Sequence, residues 1–191
     1  ALLRVMAVLG TPAQREAAAA GAAALAASGV PDPTWADDLR TVRHVGSWAY
    51  GDVFGDQTSV LLAFDRPARP HGVMVLVDHT LGGIAKDAFV VDDADATLGD
   101  MRANTDETAW VRELTDVDAA TLLVPAFAAT DAGRELPLGE DFRDTRAFAV
   151  ARLRLLPEPP AVLPRRPEDP EPLAEAFLTS DARPRDLDAD V

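Results

Sequence analysis

Val73-Met74-Val75-Leu76-Val77, running through Asp78-His79-Thr80-Leu81-Gly82-Gly83 into Ile84-Ala85-Lys86-Asp87-Ala88-Phe89-Val90-Val91, decides the fold. The first five residues are an unbroken aliphatic run, the pattern of a strand covered on both faces in the middle of a sheet. The next six carry turn chemistry, and Ile84 to Val91 reads as a second strand. So short a connection joins antiparallel neighbours, because a parallel crossover needs about a dozen residues or more.

Working outward, Thr58 to Phe64 is another apolar strand, separated from Val73 by the loop Asp65-Arg66-Pro67-Ala68-Arg69-Pro70. Before it, Val42, His44, Gly46, Trp48 and Tyr50 alternate with Arg43, Val45, Ser47 and Ala49, a period of two, and turns follow at Gly51-Asp52 and Gly55-Asp56. Every connection is short, so the four segments form an antiparallel meander.

Helical signals flank the sheet. Leu2, Leu3, Met6 and Leu9 recur at helical spacing up to Gly10, and Thr11-Pro12 with Gln14 is a capping box that opens a second helix to about Ser28. Downstream, Asp93 caps a segment carrying Leu98 and Met101, and Thr115 with Asp118 caps one carrying Leu122, Leu123 and Phe127. Trp110 to Leu114 between them is a candidate fifth strand. Pro125 is expected to kink its helix or start a new one, having no N–H to donate. Phe142 to Leu156 reads as the last amphipathic helix, with its arginines on a solvated face.

The class is therefore α+β, a four-stranded antiparallel meander with a candidate fifth strand, flanked by N-terminal and C-terminal helices. Residues 1–34 form the N-terminal helical pair and 35–156 the α+β domain. From Pro157 on, 8 of the remaining 35 residues are proline, which marks 157–191 as an acidic linker with one short helix near 172–179.

Composition narrows the function classes. A chain of 191 residues can bury a sizeable core, and with no cysteine it has neither disulfides nor thiolate chemistry, which fits a reducing, cytoplasmic setting. The net charge of -14 repels a phosphate backbone, so nucleic acid is disfavoured as a partner. No apolar run approaches the roughly 20 residues of a membrane span. The charged side chains include 17 arginines and one lysine, a bias of the kind that GC-rich coding imposes.

Trp48 to Val91, with Phe54-Gly55-Asp56-Gln57 and Val77-Asp78-His79-Thr80-Leu81-Gly82-Gly83-Ile84-Ala85-Lys86-Asp87, resembles a group of uncharacterised actinobacterial proteins. The likeness extends loosely to about Leu178, where Pro172-Leu173-Ala174-Glu175-Ala176-Phe177-Leu178 looks like the beginning of a further helical region. It implies an N-terminal portion of something longer and brings no activity and no catalytic residue with it.

The meander puts the turns at 51–56 and 79–83 on one end of the sheet. That end would gather Asp52, Asp56, Asp78, His79, Lys86 and Asp87 with the polar edges of Trp48 and Tyr50. Register decides what these charges mean, because a one-residue slip exchanges every partner. A two-residue turn at Gly82-Gly83 sets Asp78 opposite Asp87, a pair that needs a cation, a shared proton or a metal. A three-residue loop Leu81 to Gly83, a common hairpin connection, sets Asp78 opposite Lys86 in an ordinary cross-strand ion pair, and this register is the favoured one because it needs no ligand. His79 is expected in the turn on the other face from Asp78, His44 inward or at an edge, and His71 in a loop. Asp52 and Asp56 fit turn-capping roles.

The linear signatures of serine hydrolases, zincins, dinucleotide-binding folds, P-loops and EF-hands are all missing. The favoured reading is a noncatalytic interaction or regulatory domain of a longer bacterial protein, whose partner is another protein or its own C-terminal remainder. The alternative is a small metal-dependent enzyme or cation-binding protein that holds magnesium, manganese or calcium on Asp56, Asp78, His79 and Asp87. No cofactor is expected on the first reading.

Overall fold

The computed structural model describes residues 1–39, 41–66 and 69–160. The short helix expected near 172–179, and all of the linker except 157–160, lie outside them. No helix among the described residues is long and apolar enough to cross a membrane.

Five antiparallel strands form one sheet in the order β4-β3-β2-β1-β5: β1 Arg43–Asp52, β2 Gln57–Asp65, β3 His71–Asp78, β4 Ile84–Val91 and β5 Ala109–Leu114. The first four are the expected meander. The candidate fifth strand is real and returns to the free edge of β1, pairing Ser47 with Leu114 and Asp52 with Ala109. Among the described residues five helices accompany the sheet: α1 Leu2–Leu9, α2 Pro12–Ala27, α3 Ala94–Ala103, α4 Asp116–Ala132 and α5 Phe142–Leu153.

Their ends follow the capping chemistry. At α2 the Thr11 hydroxyl accepts from Gln14 N–H while the Gln14 side chain accepts from Thr11 N–H. Asp93 accepts from Ala96 N–H at α3, and Thr115 from Asp118 N–H at α4. Pro125 neither breaks α4 nor starts a new helix; the helix runs through it to Ala132. Buried Ala126 and Phe127, directly after it, belong to the same core as Ala119, Ala120 and Leu123 before it, so tertiary packing outweighs the missing hydrogen bond.

Both faces of the sheet are covered, as the Val73–Val77 run requires. Val60, Leu62, Phe64, Val73, Val75 and Val77 pack under α4 and α5, with Ala119, Leu123, Phe127, Phe142 and Leu153. The other face carries Leu61 and Met74 against Leu98 and Met101 of α3, with Trp48, Tyr50 and Val111 at the margin. The N-terminal pair is tied to the end of α5, where the Arg154 guanidinium donates to the carbonyls of Val8 and Gly10.

Two irregularities change the expected register. The alternation in β1 slips between His44 and Gly46, so Val45 is extruded to solvent and His44 comes onto the face of Ser47, its Nε2 lying 2.9 Å from the Ser47 hydroxyl. In β4 a bulge at Lys86 lets Leu76 pair with Asp87 while Val77 pairs with Ala85. His71, expected in a loop, opens β3 and is buried against Phe64.

The β4 edge is not left bare. Gly139 N–H, from the α4–α5 connection, donates to the Lys86 carbonyl at 2.8 Å, and the Thr145 hydroxyl donates to the Ala88 carbonyl. Covering an edge in this way removes the template for pairing with another chain.

Candidate functional site

The two hairpins meet on one rim. Asp78 pairs with Gln57 across β3 and β2, and His79 N–H donates to the Asp56 carbonyl at 2.9 Å. Gly55, Gly82 and Gly83 have φ of 71°, 87° and 76°, the left-handed conformation that glycine adopts without steric cost, and this lets both chains reverse there.

Neither expected register of the β3–β4 hairpin is the one formed. Asp78 pairs with Ile84, and the loop spans the five residues 79–83. The bulge then adds Lys86 to its strand and turns it toward Asp78, so the ammonium still reaches Asp78 Oδ2 at 2.8 Å. The ion pair is present although the backbone pairing that was to create it is not. The acidic pair Asp78–Asp87 does not form: Asp87 lies opposite Leu76 and against Gly139, where a methyl group would stand within 2.2 Å of its carboxyl carbon.

Asp78 is only 2% exposed, and its carboxylate has four donors. Oδ1 accepts from the Thr80 hydroxyl at 2.6 Å and from Leu81 N–H at 3.1 Å. Oδ2 accepts from Lys86 and, at 3.0 Å, from the Gln57 amide. Lys86 first, and Thr80 after it, hold the carboxyl well below the usual carboxylate range; burial opposes them, and Gln57 and Leu81 reinforce the effect. Such a carboxylate is a tie between the loop and the sheet.

The remaining expected residues separate. His79 turns to the opposite face, where its Nε2 lies 2.9 Å from the Thr58 hydroxyl. Asp56 is exposed and takes part through its backbone oxygen. Trp48 and Tyr50 pack toward Leu61, Met74 and α3 rather than joining the charges. Asp52 does cap its turn, accepting from the N–H groups of Phe54 and Gly55 at 2.8 Å each. The four residues weighed as metal ligands are thus not assembled, and among the described residues no three His, Asp or Glu side chains converge.

A third loop completes the rim. Thr108 accepts from Val53 N–H at 2.8 Å, and Asp106 Oδ1 takes hydrogen bonds from the Thr108 N–H and hydroxyl and from Ala109 N–H. Trp110 lies against Gly51 and donates from Nε1 to the Asp52 carbonyl at 3.0 Å, with the Arg112 guanidinium 4.7 Å above its ring. The signal for this loop was Asp106-Glu107-Thr108, an Asx-type turn before a strand; nothing local shows that β5 pairs with β1. At the tips, Val53, Phe54 and Leu81 project into solvent, Phe54 with 65% of its surface exposed.

No family model, curated protein or solved structure matches this chain.

Proposed function

We propose that this chain is a noncatalytic protein-interaction module, the cytoplasmic part of a longer bacterial protein, and that it docks a partner on the rim formed by its hairpin tips. The observation that carries the reading is the exposure of Phe54, Val53 and Leu81 on two hairpins that are hydrogen-bonded to each other. Exposed aromatic and aliphatic groups on a rigid support are the anchors that interfaces use. Asp56, Asp106 and Glu107 border them, which suits a partner segment carrying apolar and basic side chains.

The buried carboxylate supports the same reading. Its lone pairs are engaged by four internal donors, one of them an ammonium, so a divalent cation would have to displace Lys86 to bind.

A photo-crosslinking residue placed at position 54 of the full-length protein should trap one partner in cells, and the same residue at exposed Val117 on α4 should not. The double change Phe54→Ser and Leu81→Ser is expected to shift the melting temperature by no more than about 4 °C, because exposed substitutions seldom exceed about 0.5 kcal/mol each. It should abolish recovery of that partner. Equal recovery by the folded variant would refute the docking rim.

A further inference from the structure

The far end of the sheet, at the β2–β3 connection, holds a buried cation. Arg152, near the end of α5, is 3% exposed. Its Nε–H donates to His71 Nε2 at 2.8 Å, and its guanidinium carbon lies 4.3 Å from the Phe148 ring centre and 5.8 Å from that of Phe64. Because an arginine can only donate, His71 Nε2 is unprotonated and Nδ1 carries the proton, facing the Arg69 carbonyl at 3.4 Å. That contact occupies one edge of the guanidinium. Among the described residues nothing hydrogen-bonds its two terminal amino groups, and no carboxylate pairs with it.

Arg66, half-buried at the end of β2, is the second cation here. Its Nε is buried without a hydrogen-bond partner among the described residues, and the group is near enough to repel both Arg152 and His71. Burial first, and Arg66 second, bring Arg152 down to about 10. Burial, and after it Arg152, push His71 below its ordinary value; the Arg69 carbonyl opposes them and Arg66 adds to them.

Aromatic contacts and one neutral acceptor offset only part of the cost of burying a guanidinium that has no counter-charge among the described residues. A buried guanidinium with terminal nitrogens unbonded among the described residues, and a second cation near enough to repel it, are complementary to an anion.

We propose that Arg152 and Arg66 bind a small phosphoryl dianion, inorganic phosphate or the phosphoryl end of a small phosphate monoester, with His71 as the positioning residue. Two planar forks match the several oxygens and double charge of a phosphoryl group better than a single carboxylate does. Arg66, being half-buried, is the member of the pair in contact with solvent. A net charge of -14 over the whole chain selects for a small ligand, since a polyanion would be repelled outside the contact itself.

The test uses the full chain at constant ionic strength, with sodium phosphate exchanged for sodium chloride and titration followed by calorimetry and by the His71 imidazole resonances. Saturable binding is expected, with a rise in the His71 pKa as the anion offsets its cationic neighbours. Removing one guanidinium should weaken binding at least about tenfold, the loss of one charged hydrogen-bonded contact. Arg66→Gln carries this part, because its half-buried position leaves the packing of Arg152 on Phe64 and Phe148 in place. Arg152→Lys should also weaken binding and keep the charge. Glycerol 3-phosphate binding as tightly as phosphate assigns a monoester, and phosphate alone binding assigns the inorganic ion. Stabilisation by phosphate that is not saturable, or is equal in Arg66→Gln, would overturn the proposal as a general salt effect.

Discussion

Asp78 and Arg152 are both almost wholly removed from solvent, at opposite ends of one sheet, yet their surroundings differ. The carboxylate has four donors, including a full positive charge, and the guanidinium has one neutral acceptor and two aromatic rings. The acidic rim, which composition and turn chemistry bring to attention, is electrostatically finished. The basic end, in a chain of strongly negative charge, is not. Burial of a charge does not by itself mark a binding site; an incomplete set of partners around it does.

The sharpest way to break this comparison is to remove each charge in turn. Asp78→Ala is expected to cost about 3 kcal/mol in urea unfolding, because it leaves the Lys86 ammonium part-buried without its partner and frees Thr80 and Leu81. A loss below about 1 kcal/mol would mean that water replaces the carboxylate readily, and the rim would then be less complete than its hydrogen bonds imply.

Arg152→Met should behave differently. In phosphate-free buffer it is expected to leave stability unchanged or raise it by up to about 1 kcal/mol, as replacement of a poorly paired buried ion by an apolar side chain of similar volume often does. Phe64 and Phe148 would keep an apolar neighbour, and His71 would be relieved of a cation. A loss above about 2 kcal/mol would show the guanidinium to be satisfied where it lies and erase the contrast between the ends.

The sequence made one end legible and hid the other for physical reasons. Period-two alternation and short connections lead directly to the meander, and the meander leads to a common rim for Gly55 and Gly82. The bulges at Val45 and Lys86 leave no such trace, because a one-residue slip is decided by packing partners elsewhere in the chain. Asp78 and Lys86 could therefore be paired correctly while the backbone register between them was not. β5 was visible as a strand, but its pairing with β1 spans a helix and is not encoded locally.

Arg152 was obscured by its company. Arg143, Arg146, Arg152 and Arg154 look like one solvated face when read as a run of charge, and Arg146 does pair with Asp131 of α4. The available signal was spacing: Arg152 lies four residues after Phe148, one turn further along the same face, and between core residues Ala149 and Leu153. His71 was hidden by Pro70, which reads as the end of a loop; the strand begins at the next residue because His71 fits between the Phe64 and Phe148 rings.

Acid titration separates the two ends on one axis. His71 is depressed by burial first and Arg152 second, and Asp78 by Lys86 first and Thr80 second. In both cases the unfolded chain takes up a proton more readily than the native one, so stability falls as the pH falls. For His71 the loss begins below about 6.5, the unfolded histidine value, and for Asp78 below about 3.9, the unfolded aspartate value; each contribution is complete above its own limit. The melting temperature should therefore decline in two limbs. His71→Gln, which retains an acceptor for Arg152, should flatten the upper limb alone, and Asp78→Asn the lower limb alone. Bound phosphate should also flatten the upper limb in the wild-type chain, since an anion beside Arg152 and Arg66 restores the proton affinity of His71. An upper limb that survives His71→Gln would assign that proton to another group and remove the histidine from the description of the basic end.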